Sequence, residues 1–263
     1  MPTAEEQREC LEMNGGGVHG LGAGQIRRCE LQMCLIWALA ERNMGFEQER
    51  VLDLRTNAEY YQSWIRSDPP KEFGFSATHF KAFEALRNGG GVADALREAK
   101  KHNRHSTTNE SLLRLLPLAV WTSSVKNPYQ VKKAIAAEAA FIHQSKLVHS
   151  AIFIYVMALQ CLLRNPLDEQ RGARAYDFAY ELSKQELARG AQSGDSAREW
   201  LEQAYQMANA SDRDEVAVTY LAQTYNCMER PEELKHAFIL AFYFLLKSKP
   251  GKSLDALFLK YLK

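Results

Sequence analysis

Net charge is almost missing from this sequence: 33 Lys and Arg face 32 Asp and Glu, a formal balance of +1. So neutral a chain has no global field for nucleic acid or an anionic bilayer; any anion site must be local, and no nucleic-acid partner is expected. Cysteine is scarce too. Cys10, Cys29, Cys34, Cys161 and Cys227 are odd in number and scattered, with no CxxC pair. That argues against a disulfide framework or a thiolate zinc site and for the reduced thiols of a cytoplasmic protein. The opening MPTAEEQREC lacks the cationic start and apolar core of a secretory signal, so export is not expected. The longest apolar stretch, 151–163, is too short to span a bilayer and reads as a buried core helix, with no membrane partner.

Strand patterning is absent as well, since no run alternates apolar and polar residues convincingly, and no fixed repeat period occurs. What is present is helical periodicity. Leu31, Leu35 and Leu39 recur every four residues, with Ile36 and Trp37 widening the stripe, and predict a core-facing helix ending near Asn43. Further helices are expected over 48–65, stopped by Pro69 and Pro70, over 78–86, and over 92–101 after Gly89, Gly90 and Gly91. Asn109 is a capping-type residue ahead of an apolar run that Pro117 interrupts. Helices over 129–143, 147–164, 167–189, 197–209, 215–228, 232–247 and 254–262 follow, with Pro128, Pro166 and Pro231 at helix starts. The reading is one compact all-α domain over 1–263, with 1–14 as a short leading segment.

Several catalytic signatures can be set aside. Gly15, Gly17 and Gly20 match G-x-G-x-x-G, but the polar EEQRECLEM before them is no β-strand, so the dinucleotide fold is rejected. Gly251-Lys252-Ser253 ends like a phosphate-binding loop, yet Leu246 stands where its first glycine is required, and a helix precedes it. No GxSxG elbow occurs. His102 and His105 lie in a basic loop and read as solvated. Glu30, Glu72 and Asp255 are the loose carboxylates from which a catalytic acid or base could be drawn. One local anion site is legible. A glycine-rich loop runs into a helix whose start carries Arg27 and Arg28, where free backbone N–H groups and fixed positive charge coincide.

Four blocks in order resemble the ADP-ribosylglycohydrolase family, which includes ADP-ribosyl-acceptor hydrolases and the glycohydrolase that reactivates dinitrogenase reductase. GAGQIRRCELQM stands where that family has a Gly-Gln-Ile-like lead and Thr-Asp-Asp. YYQSWIRSDPPKEFGFSAT keeps Trp64, Ser67 and Gly74. TTNESLLRLLPLAVW keeps Asn109, Ser111, Leu112, Arg114 and Pro117. FIHQSKLVHSA keeps His143.

The resemblance implies an all-α orthogonal helical bundle whose cleft holds ADP-ribose beside two divalent metals, usually magnesium. Asn109 and Ser111 would line the nucleotide cleft and His143 would lie near the nucleotide or ribose, while Arg114, inside an apolar run, suits a structural ion pair. The metal ligands are where the chain departs. Arg27 and Arg28 replace the first aspartates, and KSKPGKSLDAL replaces the Asp-x-Asp-Thr near the end. Hard cations need oxygen donors and are repelled by guanidinium and ammonium groups, so no metal cofactor is expected. Arg27, Arg28 and one or more of Lys247, Lys249 and Lys252 would occupy the vacated site. Glu110 replaces the family's glycine beside the diphosphate, and no Gly-Asp pair precedes the glycine-rich loop. Three functions fit: an ADP-ribosylglycohydrolase-like pseudoenzyme binding ADP-ribosyl groups or a protein partner; an active hydrolase with altered or no metal, using Glu30 or Glu72; and a helical interaction scaffold.

Overall fold

The computed structural model describes residues 28–42, 52–67, 83–188, 196–210 and 233–247. Among them the elements are helices: α1 (Arg28–Arg42), α2 (Leu54–Arg66), α3 (Val92–His102), α4 (Glu110–Arg114), α5 (Leu116–Trp121), α6 (Pro128–Ala139), α7 (Lys146–Arg164), α8 (Arg171–Ala188), α9 (Ala197–Ala210) and α10 (Leu234–Lys247). A further helical stretch covers 83–87. The all-α expectation holds, and the only extended pairing among the described residues is one isolated bridge between Thr108 and Glu233. The glycine-rich loop, Arg27, Glu72, Pro231, Lys249, Lys252, Asp255 and the helices expected over 215–228 and 254–262 lie outside the described residues.

Local chemistry sets the boundaries. Asp53 caps α2 by accepting from Arg55 N at 3.0 Å, so the helix starts at Leu54 rather than 48. Asn127 caps α6 in the same way, accepting from Tyr129 N, and Pro128 follows where its missing N–H costs nothing. Pro117 splits the apolar run as expected, with α4 closing at Arg114 and α5 opening at Leu116. Pro166, by contrast, is not a helix start: it lies in a turn, and α8 begins at Arg171 after Asp168 accepts from Gln170 N. α6 ends four residues short of His143, leaving Phe141, Ile142 and His143 in a buried turn.

α7 is the axis of the larger core. It packs against α4, α5, α6, α8, α9 and α10 and buries Ala151, Ile152, Phe153, Ile154, Val156 and Met157. At 19 residues it is longer than its apolar run, and by length and composition alone it could cross a bilayer. Its place at the centre of the packing explains the same hydrophobicity. Within it Gln160 is fully buried and donates to Thr122 Oγ1 at 2.6 Å, so its amide is satisfied against the end of α5.

A second core gathers Leu31, Cys34, Tyr61, Trp64, Ile65, Phe83, Leu86, Phe141 and Ile142, with the Tyr61 ring 5.1 Å from Phe83 and 5.7 Å from Phe141. α1 serves both cores. Leu35 and Leu39 face the larger and Leu31 and Cys34 the smaller. The stripe is therefore widened by Cys34 and Ala38; Ile36 and Trp37, expected to widen it, are 41% and 53% exposed.

Where the cores meet, one ionic cluster is sealed from water. Arg114 of α4 and Glu138 of α6 form an ion pair, 1% and 0% exposed. Arg114 also donates to Tyr61 Oη at 2.9 Å and to the Glu138 carbonyl at 3.1 Å. Tyr61 donates to Glu138 Oε1 and Asn57 to Glu138 Oε2. Burial, reinforced by the Glu138 charge, pushes the Tyr61 phenol well above its usual range, so it stays a donor. The carboxylate thus receives three hydrogen bonds, the condition under which a buried charge is tolerated. Arg114 is the structural ion-pair partner its setting suggests.

Leaving either charge alone in this site is the costly event. Arg114→Leu or Glu138→Leu should lower unfolding free energy by about 3–5 kcal/mol, and the double variant should lose far less than the sum. Urea denaturation of the four proteins checks this; additive losses would show that the two residues are not coupled.

Candidate functional site

Five side chains between Thr108 and His143 build the site that the sequence singles out. The 103–109 connection is pinned at its far end, where Leu234 N donates to the Thr107 carbonyl at 2.7 Å. Thr108, Asn109 and Glu110 form a half-buried rim, and Ser111 and His143 lie behind it, both 0% exposed. Ser111 Oγ is 2.6 Å from His143 Nδ1, and Thr108 Oγ1 is 2.9 Å from His143 Nε2. Thr108 in turn donates to Glu110 Oε2 at 2.9 Å.

Counting protons orders this chain. A threonine hydroxyl has one hydrogen, and here it goes to Glu110, so Thr108 accepts from His143 Nε2–H. In the neutral ring Nδ1 then accepts from the Ser111 hydroxyl. This is the proton arrangement of a serine nucleophile and its base, but nothing can reach a serine without exposed surface. Ser111 and His143 therefore hold the rim in place and act on anything bound there through Thr108 and Glu110.

The histidine turn is fixed from below. His149, in the first turns of α7, donates from Nε2 to the His143 carbonyl at 2.8 Å, and Gln144 Nε2 donates to the Ala140 carbonyl at 2.7 Å. Burial, with the nearby Lys132 charge, lowers His149 below the usual histidine value of 6.5. His236, which packs beside Glu233 next to the bridge to Thr108, is lowered by burial too.

Of the carboxylates proposed for catalysis, only Glu30 is described, and it is already in use. Its Oε2 accepts the Trp64 indole N–H at 2.7 Å, joining α1 to α2. Trp64 also packs edge-on against Phe83, and Ser67 donates from its hydroxyl to the Trp64 carbonyl at 2.7 Å. The retained tryptophan thus packs into the smaller core, and the retained serine, exposed, closes α2. Burial and the Glu30 charge push the Cys34 thiol up to about 11, an inert buried hydrophobe; Cys34 and Cys161 are both free. Arg28 opens α1, and Lys247 closes α10 half-buried. Whether they meet Arg27, Lys249 and Lys252 in one cleft lies outside the described residues. Among the described residues no three His, Cys, Asp or Glu side chains converge, and His102 faces Glu98 at 3.3 Å.

Glu138 is the functional-cluster residue that sequence reasoning missed. Its signal was there: Ile135, Glu138, Ala139 and Ile142 follow helical core spacing, so a glutamate occupies a position the pattern reserves for an apolar side chain.

A sequence model of the ADP-ribosylglycohydrolase family matches residues 3–259. The match spans nearly the whole chain, and the protein belongs to that family. No curated protein and no solved structure matches it. Membership agrees with the all-α architecture and implies ADP-ribosylated substrates for the family as a whole.

Two outcomes follow from the histidine turn. Because the unfolded chain binds a proton at His149 and His236 more tightly than the fold does, stability should be full above pH 6.5 and fall as pH drops from there toward the lowered folded values. Thermal melts between pH 8 and 5 should show the loss, and His149→Gln should shrink it; a flat profile contradicts the assignment. Ser111→Ala should cost about 1–2 kcal/mol by leaving the His143 nitrogen unsatisfied, measured by denaturant unfolding.

Proposed function

We propose that this family member binds ADP-ribosyl groups at the 106–111 turn and is impaired as a hydrolase. The observation that carries the reading is charge inversion at both stretches where the resemblance puts acidic metal ligands: Arg27 and Arg28 in one, and Lys247, Lys249 and Lys252 in the other. Magnesium requires a set of oxygen donors, and the residues present do not fit it. Asp255 is the one acid in the later stretch, and Glu30, nearest the earlier one, is held by Trp64. No reaction step is therefore assigned to a metal in this chain.

Binding has more support than chemistry. Asn109 and Ser111 keep the family's motif, and the Ser111–His143 bond gives that turn a fixed shape ahead of any ligand, which lowers the ordering cost of binding. Glu110 is the obstacle. Its carboxylate takes the Thr108 hydroxyl, and a diphosphate at the rim must either displace that bond or approach from the Asn109 side. Cations at the vacated metal site would supply part of the charge that magnesium supplies elsewhere in the family. A protein carrying the modification is the natural partner, and the cytoplasm the natural compartment for its free thiols.

Calorimetry with ADP-ribose tests this. Binding should be measurable at millimolar ligand or below and indifferent to magnesium or chelator. Asn109→Ala should weaken it about tenfold, as expected for loss of one or two hydrogen bonds, and Glu110→Gly should strengthen it. Absence of heat at millimolar ligand would leave the helical scaffold as the remaining reading.

A further inference from the structure

A run of positive charge lies directly before the site. Lys100, Lys101 and Arg104 are exposed cations with the exposed His105 beside them, and among the described residues no side-chain hydrogen bond or ion pair engages these four. The acids nearest in sequence are engaged elsewhere, Glu98 by His102, Asp94 by Arg97 at 2.6 Å and Glu110 by the Thr108 hydroxyl at 2.9 Å. From Ala99 to Asn109 the chain contains no Asp or Glu. The negative end of the α3 dipole offsets part of this charge, but only over the last turn.

The backbone beneath these cations is fixed at both ends. Asn103, 4% exposed, closes α3 through its N–H to the Ala99 carbonyl at 2.8 Å, and its own carbonyl accepts from Ser106 N at 3.2 Å. The Thr107 carbonyl holds Leu234 N. Arg104 and His105 are thus displayed on a tied turn whose next residues are the rim. Arg104 and Thr108 are four positions apart, a chain length of at most about 14 Å. A macromolecule whose ADP-ribosyl group sits at the rim has its flanking residues within reach of the cations.

We infer that Lys100, Lys101, Arg104 and His105 form an electrostatic docking strip for an acidic peptide segment beside the modified residue of an ADP-ribosylated protein. The inference rests on the binding reading above. Charge complementarity selects an acidic partner, and the makeup of the strip selects a peptide over single-stranded nucleic acid. Residues 97–109 contain no Phe, Tyr or Trp on which bases could stack. The strip sets partner choice and encounter rate, while the rim holds the nucleotide.

Fluorescence anisotropy with two ADP-ribosylated peptides, one flanked by Asp and Glu and one by Ala, decides the matter. The acidic peptide should bind about tenfold tighter at low salt, and the difference should vanish near 0.5 M salt, where the Debye length is only a few ångströms. In the surface variant Lys100→Ser/Lys101→Ser/Arg104→Ser the two peptides should bind alike, with affinity for free ADP-ribose unchanged. Equal binding to the wild type, or a preference that survives in the variant, overturns the strip. So does duplex DNA or RNA displacing the peptide better than an unmodified acidic peptide does. Failure of free ADP-ribose to bind would instead sink the rim reading, and the unmodified acidic peptide, bound by wild type and not by the variant, would still establish the strip.

Discussion

The Arg114–Glu138 pair fixes the relation between two short pieces of chain. Arg114 and Ser111 lie one turn apart on α4, and Glu138 lies five residues before His143 at the end of α6. Once the guanidinium is seated on both the Glu138 carboxylate and its backbone carbonyl, the start of α4 has one register against the α6 turn. Ser111 then meets His143 at 2.6 Å. Asn57 and Tyr61 bring α2 into the same cluster, so the smaller core, the larger core and the rim share one buried anchor. A buried ion pair of this kind adds little net stability over an apolar replacement. Its contribution here is positional.

Much of this fold was legible because it depends on local pattern. Helix type, the break at Pro117 and the largely buried character of 151–160 follow from periodicity and proline chemistry. The errors have local causes too. α2 begins at its aspartate cap, and α8 begins after a turn rather than at Pro166. On α1 the widening residues point the wrong way because the smaller core draws the stripe toward Cys34. Leu35 and Leu39 could be placed from spacing alone; the direction in which the stripe broadens depends on α2, which spacing does not encode.

The site was legible differently. Arg114 could be read as an ion-pair partner from its apolar setting, but the identity of that partner needed the fold, since a glutamate scores as surface in any hydropathy pattern. The motif blocks singled out Ser111 and His143 separately, and their pairing across 32 residues of sequence is visible only in the geometry. Glu30 shows the converse. As a lone carboxylate near a motif it invited a catalytic role, and its bond to Trp64 gives it a structural one. What the chain keeps is the family's all-α architecture, and the proposed loss of hydrolysis rests on the basic residues that stand in the stretches resembling its metal-ligand motifs.

The central claim, an ADP-ribosylglycohydrolase family fold retained while metal-dependent hydrolysis is lost, is tested most directly by single-turnover incubation of ADP-ribosylated arginine and serine peptides. The purified protein is compared with magnesium and with chelator, and release of ADP-ribose is followed by mass spectrometry. The account predicts no release above the uncatalysed background in either condition. Turnover that appears with magnesium and disappears with chelator would contradict it.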